Sequence, residues 1–97
     1  MEFADLLKNL RKKKGVSIKK MAKEVGLDYT YISKLENSKV NPSSKVVKRI
    51  SNYFGYNSDE LLLSAGKIPK DIEEILRSNP QEAVKYFRSR FGGENNK

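Results

Sequence analysis

The sequence contains no cysteine and no histidine. Without cysteine there is neither a disulfide framework nor a thiolate nucleophile, and without histidine the commonest general base and metal ligand are missing. The acidic residues form no cluster that suggests a carboxylate metal site, and no glycine loop is typical of phosphate binding. We therefore expect no metal and no other cofactor, and we expect that the protein is not an enzyme.

Long apolar segments are also absent. No run approaches the roughly 18–20 residues of a membrane-spanning helix, and the opening MEFADLLKNLRKKKG lacks the basic-then-apolar order of a signal peptide. These absences predict a cytoplasmic protein with no membrane contact. A chain of 97 residues is long enough for one small domain and little more, and a domain of that size often gains stability by self-association.

Negative charge is scarce between Lys8 and Arg49. This segment holds 13 basic and three acidic residues, a net charge of +10, whereas the whole chain carries +8. The remaining residues together therefore carry −2. Positive charge concentrated on one segment favours a polyanion as partner, and a solvated basic surface is the alternative interpretation.

Apolar residues recur at helical spacing and no strand pattern appears, so the chain is predicted to be all-α. Glycines and capping residues set the expected helix ends. Five helices are predicted over about 2–14, 18–25, 29–37, 43–54 and 58–65. Ser17, Asp28 and either Ser43 or Ser44 are expected N-caps.

Two shorter helices are predicted after Gly66. The first contains Ile72 and the second Phe87, with Asn79 as the cap of the second and Pro69 and Pro80 as first helical residues. We divide the chain into a five-helix domain over 1–66, a helical extension over 67–92 and a disordered tail over 93–97.

The segment Ile18–Leu35 has the pattern of two short helices joined by a tight turn. Ala22 is small enough for the helices to approach closely where they cross, and Gly26 accepts the positive φ that such a turn requires. The wedge between the helices would be filled by apolar side chains, namely Val25, Leu27, Ile32 and Leu35. In a basic chain this pattern predicts a DNA-binding helix-turn-helix.

Further motifs extend the pattern in both directions. They are L-R-x-x-x-G at Leu10–Gly15, A-x-x-x-G at Ala22–Gly26, I-S-K-L-E-N at Ile32–Asn37, N-P-S at Asn41–Ser43 and F-G-Y-N-S-D-E-L-L from Phe54. With them, residues 6–63 resemble the DNA-binding domain of the Cro/repressor family, also called the XRE family. The resemblance implies a five-helix, lambda-repressor-like fold whose third helix enters the major groove of double-stranded DNA.

The resemblance also implies which residues bind DNA. Positions that contact bases or nearby phosphates in the family are matched by Tyr29, Thr30, Ser33 and Lys34, and positions that bind the DNA backbone by Asn37, Lys39 and Asn41. Hydroxyl and amino groups are suited to hydrogen bonding with base edges. The start of the second helix, with Ser17 and Lys19, would offer free backbone N–H groups to a phosphate.

Several of these positions have a second interpretation. The Tyr29 ring could instead be partly buried, and Lys12–Lys14 could be either a solvated helix end or a contact at the flank of the DNA. Ile18 replaces a family glutamine that touches a phosphate, so we interpret it as a core or staple residue. Ser38 replaces a common glycine, which predicts a slightly different loop. Arg11 and Glu36 match a pair that forms an internal salt bridge in relatives, and we interpret them as structural.

The apolar residues after Gly66 are too numerous to stay uncovered in a small monomer. They could fold back on the first domain, bind another protein, or form a two-fold interface together with Leu61, Leu62 and Tyr56. We expect a sequence-specific transcriptional regulator, a repressor that binds operator DNA as a homodimer. The alternative is the antitoxin of a toxin–antitoxin pair, which would bind a toxin through the C-terminal helices and regulate its own promoter.

Overall fold

The computed structural model describes residues 2–93 of the chain, and the tail residues 94–97 lie outside that range. The described part is all-α, as predicted, with seven helices and no strand. They are α1 (Phe3–Lys14), α2 (Ile18–Val25), α3 (Tyr29–Glu36), α4 (Ser44–Phe54), α5 (Ser58–Ser64), α6 (Lys70–Ser78) and α7 (Pro80–Phe91).

The chain divides into two compact units, the first ending at Lys67 and the second beginning at Ile68. The first unit contains α1 to α5. Its core consists of side chains from all five of these helices, including the fully buried Leu7, Met21, Ile32, Ile50 and Leu61. The second unit contains α6 and α7, and neither helix has a buried residue.

Side-chain caps set the starts of the short helices in the first unit. The Ser17 hydroxyl accepts a hydrogen bond from the Lys20 N–H at 3.0 Å, and the Asp28 carboxylate accepts one from the Thr30 N–H at 3.0 Å. Ser43, rather than Ser44, caps α4, since its hydroxyl accepts from the Val46 N–H. Each cap satisfies one of the amide groups that a helix start leaves unpaired.

The second unit corrects two of the predicted helix starts. Pro69 is the residue before α6 and not its first helical residue. Asn79 precedes α7 but its side chain makes no cap to that helix. Instead its amide nitrogen donates to the Ile75 carbonyl at 3.3 Å, so this side chain serves the end of α6.

Two leucines expected at an interface belong to the core. Leu61 and Leu62 are buried among the side chains of the first unit, at 0% and 2% exposure. Because they are already covered within one chain, they are not available for a two-fold contact. The prediction that included them in such a contact was wrong.

The turn between α2 and α3 depends on a residue of α4. Gly26 has φ +79°, and its N–H and that of Leu27 both donate to the Ala22 carbonyl at 2.9 Å. The Arg49 guanidinium donates to the Gly26 carbonyl at 3.2 Å. A Cβ added at Gly26 would lie 2.8 Å from that guanidinium, so the glycine provides both the backbone conformation and the space for Arg49.

Gly26→Ala is expected to destabilise the fold more than Gly55→Ala. Both glycines have positive φ, which costs a residue with a Cβ about 1–2 kcal/mol, but nothing lies within 4 Å of a Cβ at Gly55. The Gly26 variant also displaces Arg49 and should lose up to about 1 kcal/mol more. Urea denaturation measures both free energies of unfolding. Equal losses would show that the Arg49 contact contributes nothing to the turn.

Candidate nucleic-acid interface

The exposed side of α3 borders a surface depression of about 820 Å³. Its polar lining comes from α3 and the loop that follows, and consists of Thr30, Ser33, Lys34, Asn37 and Lys39. These are five of the residues predicted from the sequence to bind DNA. Together they provide hydroxyl, amide and ammonium groups, which are the groups that proteins use on base edges and phosphates.

The opposite side of α3 explains why those residues face outwards. Ile32 and Leu35 are buried in the core of the first unit, and Tyr31 packs against it. Burial at these positions leaves the residues between them on the solvent side. Tyr29, at the start of the helix, is 53% exposed, so the interpretation of its ring as partly buried loses support.

A buried ion pair connects α3 to α1. The Arg11 guanidinium holds both oxygens of the Glu36 carboxylate, with Nε–Oε2 at 2.6 Å and Nη2–Oε1 at 3.0 Å. Its Nη1 donates to the Val16 carbonyl at 3.0 Å. Glu36 is only 4% exposed, and its hydrogen bond raises the pKa of Arg11 above the ordinary value. This geometry confirms the predicted salt bridge and fixes the C-terminal turn of α3.

The loop after α3 keeps a left-handed turn although serine occupies the expected glycine position. Ser38 has φ +57°. The Ser38 N–H donates to the Leu35 carbonyl at 3.3 Å and the Lys39 N–H to the Lys34 carbonyl at 2.8 Å, the paired bonds of a Schellman motif. This backbone pattern brings Lys39 next to the last turn of α3, where Asn37 also donates to the Ser33 carbonyl.

A second depression, of about 700 Å³, lies at the outer side of α2. It is lined by Ser17 and Lys19, which were predicted, and by Lys20, Lys23 and Glu24, which were not. Lys20 and Lys23 could have been found from the sequence, because Lys23 lies four residues after Lys19 and three after Lys20, which places the three lysines on one helix surface. The predicted phosphate-binding residues of α2 therefore lie in a broader basic surface.

Asn41 and Ile18 differ from the other expected positions. Asn41 lines a separate cavity of about 350 Å³, together with Phe3, Pro42 and Gly66. The structure therefore does not bring Asn41 into the depression beside α3. Ile18 is partly buried against the core, which agrees with its interpretation as a core or staple residue.

Three side chains from α1, α2 and α4 form a cluster that sequence reasoning missed. The Tyr53 hydroxyl donates to the Glu24 carboxylate at 2.5 Å, and the Lys14 ammonium lies 4.8 Å from the centre of the Tyr53 ring. Burial of the ring and the bond to Glu24 raise the pKa of Tyr53 to about 12. Of the three consecutive lysines, Lys14 thus has an intramolecular partner.

No helix within residues 2–93 is long and apolar enough to cross a membrane. In the same range, no three acidic side chains come together in a way that could hold a metal ion.

Comparison with known proteins agrees with this geometry. A family model described as a helix-turn-helix domain matches residues 4–67. The chain is 34% identical over 87 residues to the HTH-type transcriptional activator BcrR of Enterococcus faecalis, a match covering 90% of this chain and 42% of that protein. It is 30% identical over 92 residues to the SPbeta prophage-derived uncharacterized HTH-type transcriptional regulator YonR of Bacillus subtilis, covering 95% and 83%.

A third relative is the HTH-type transcriptional regulator DdrOP3 of Deinococcus deserti, 24% identical over 84 residues, which cover 78% of this chain and 65% of that protein. The chain therefore spans less than two thirds of the length of two of these relatives. No solved structure matches the chain significantly.

Removing one partner of the Arg11–Glu36 pair should cost far more than replacing both. Glu36→Ala leaves the guanidinium of Arg11 without its carboxylate at a site where only 13% of its side chain is exposed, a loss of about 3 kcal/mol. The double variant Arg11→Met/Glu36→Leu buries no charge and should recover most of that loss. Urea denaturation of the single and double variants measures the coupling. If the double variant lost as much stability as Arg11→Met and Glu36→Leu lose together, the coupling would be contradicted.

Tyr53 should make stability depend on alkaline pH. Its folded-state pKa, about 12, exceeds the ordinary value of 10.0. The neutral Tyr53 side chain therefore contributes fully to the free energy of unfolding below pH 10, and this contribution is lost as the pH rises towards 12. Tyr53→Phe should lose less stability over that interval than the unmodified chain. Denaturant unfolding across the interval measures the difference, since lysine titration affects both proteins alike. Parallel pH profiles would contradict the prediction.

Proposed function

This chain belongs to the XRE-type helix-turn-helix family of DNA-binding proteins, and on that premise we propose that it is a transcriptional repressor that binds operator DNA as a homodimer. In the proposed complex α3 lies in the major groove. The observation that carries the proposal is the depression beside α3, which Thr30, Ser33 and Lys34 line together.

Sequence would be recognised by the side chains of α3. Lys34 can donate to the O6 and N7 atoms of guanine, and the Ser33 hydroxyl can donate or accept at a base edge. The Thr30 methyl group can pack against the methyl of thymine. Tyr29 is exposed at the start of the helix, and in the proposed complex it would pack on base edges or hydrogen bond to a phosphate.

Contacts with the DNA backbone would come from residues that precede α3 in the chain and from residues that follow it. Ser17 and Lys19 lie at the start of α2, where the helix dipole and amide groups favour a phosphate. Asn37, Lys39 and Asn41 follow α3 and would bind the DNA backbone. The net charge of +10 between Lys8 and Arg49 supports this assignment, and affinity should fall steeply with salt because phosphate contacts release counterions.

The homodimer and the direction of regulation are part of the proposal. A two-fold dimer of helix-turn-helix units reads two half-sites, so the bound DNA would be palindromic. Repression needs only occupancy of promoter DNA, whereas activation needs a further contact with the polymerase. One relative is named as an activator, so the direction is tested by transcription from the bound promoter with purified polymerase.

Selection of bound sequences from a random pool of double-stranded DNA tests the assignment of residues. Lys34→Ala should change the preferred base at one position in each half-site, at a cost of about 1–3 kcal/mol for the original sequence. Lys39→Ala is the matched control, because it removes the same charge from the edge of the depression. It should weaken binding to all sequences alike and reduce the salt dependence by about one counterion.

Three results would each contradict a part of the proposal. If Lys34→Ala lost affinity equally for every sequence, Lys34 would not read a base. If the unmodified chain enriched no sequence at all, sequence-specific regulation would be wrong. Enrichment of single, non-palindromic sites would contradict the homodimer and leave DNA recognition by α3 in place.

A further inference from the structure

The second unit has apolar side chains but no core of its own. We call α6 and α7 the C-terminal helix pair. Neither helix has a buried residue, and Ile75 and Phe91 are 55% and 69% exposed. Helices of nine and 12 residues are short for independent stability in water. The two helices therefore need to pack their apolar side chains against another surface in order to remain folded.

The apolar face of α6 has an acidic border. At 100° per residue, Ile72, Ile75 and Leu76 fall on one side of the helix. Asp71 and Glu73 lie at the two edges of that side. The one basic residue of the last turn, Arg77, lies further round the helix. An apolar face bordered by carboxylates fits a partner face bordered by cations.

The apolar face of α7 has the opposite border. Val84, Phe87 and Phe91 share one side of this helix at the same periodicity. Arg88 and Arg90 lie at its two edges. Each helix of the pair thus has three apolar residues on one face, and the borders of the two faces carry opposite charges.

These borders are not paired with each other inside one chain. The ion pair of the second unit joins Glu73 to Arg77 on α6 itself at 3.4 Å, with both side chains well exposed. Within residues 2–93 no ion pair connects α6 with α7. The Arg90 guanidinium instead lies 5.1 Å from the Phe91 ring of its own helix. The two helices contact each other within the chain and Leu76 is half-buried, but Ile75, Phe87 and Phe91 remain 55%, 44% and 69% exposed.

We propose that the C-terminal helix pair is the homodimer interface, in which α6 of each copy packs its acid-bordered face against the base-bordered α7 face of the other. The inference deepens the homodimer of the proposed function and rests on it. A two-fold axis makes the contact twice, because residue i meets residue j and residue j meets residue i. Two complementary faces on the same chain are what such a self-complementary contact requires.

Charge reversal in the full-length chain tests this pairing. Asp71→Arg/Glu73→Arg places arginines against arginines at both contacts, and Arg88→Glu/Arg90→Glu places acids against acids. Each variant alone should dimerise at least about tenfold more weakly in sedimentation equilibrium, because like charges face each other twice. Glu74→Arg/Glu82→Arg is the matched control. It changes the net charge as much as the first variant but lies away from both apolar faces, and should dimerise normally.

Mixing the two reversed variants is the decisive measurement. In a mixed dimer the reversed α6 meets the reversed α7, and the unmodified α6 meets the unmodified α7, so both contacts are attractive. The mixture should regain the affinity of the unmodified chain within about threefold, as should one chain carrying all four changes. Circular dichroism checks that each variant keeps its helices.

Failure of the mixture to dimerise would overturn the proposal, since pairing within one chain or between like helices predicts no rescue. A monomeric unmodified chain would overturn it too, because the faces would then be covered by the first unit or by a different protein. The selection of bound DNA sequences tests the proposed function independently of this interface. Palindromic enrichment without rescue would refute this interface and keep the proposed function, and rescue without enrichment would do the reverse.

Discussion

The bidentate ion pair between Arg11 and Glu36 is the constraint on which the candidate interface depends. Helix α3 has eight residues, and Ile32 and Leu35 on its apolar side are buried in the core. A carboxylate that is 4% exposed cannot turn towards water without losing both guanidinium bonds. The pair thereby holds the last turn of α3, and with it the positions of Ser33, Lys34 and Asn37.

The sequence predicted the elements that depend on neighbouring residues. Ser17 and Asp28 cap their helices, and Gly26 adopts positive φ, because each role is decided within four residues along the chain. The Arg11–Glu36 pair spans 25 residues and could be predicted only through the resemblance to a family. Helix periodicity assigned the buried side of α3, and so the solvent side on which the predicted contacts lie.

Contacts between distant helices were beyond sequence reasoning. Tyr53 and Glu24 are 29 residues apart, and Arg49 and Gly26 are 23 apart. The spacing of Tyr53 and Glu24 in the sequence does not indicate that a ring of α4 contacts a carboxylate of α2, because this contact depends on how the two helices cross. Asn41 was assigned by its position in a motif, and in the structure it lines a separate cavity together with Pro42. Leu61 and Leu62 were included in one of three alternatives for the C-terminal residues, because the sequence pattern of an apolar pair is the same in a core and at an interface.

The brevity of α2 and α3 links recognition to the stability of the whole first unit. Eight residues are fewer than the roughly 12–15 that make an isolated helix even marginal in water. The candidate interface therefore exists only while α1, α4 and the core around Met21 are assembled. A ligand that binds α3 must then stabilise the entire unit against unfolding by mass action, so occupancy of DNA would also protect the chain from the proteases that act on unfolded protein.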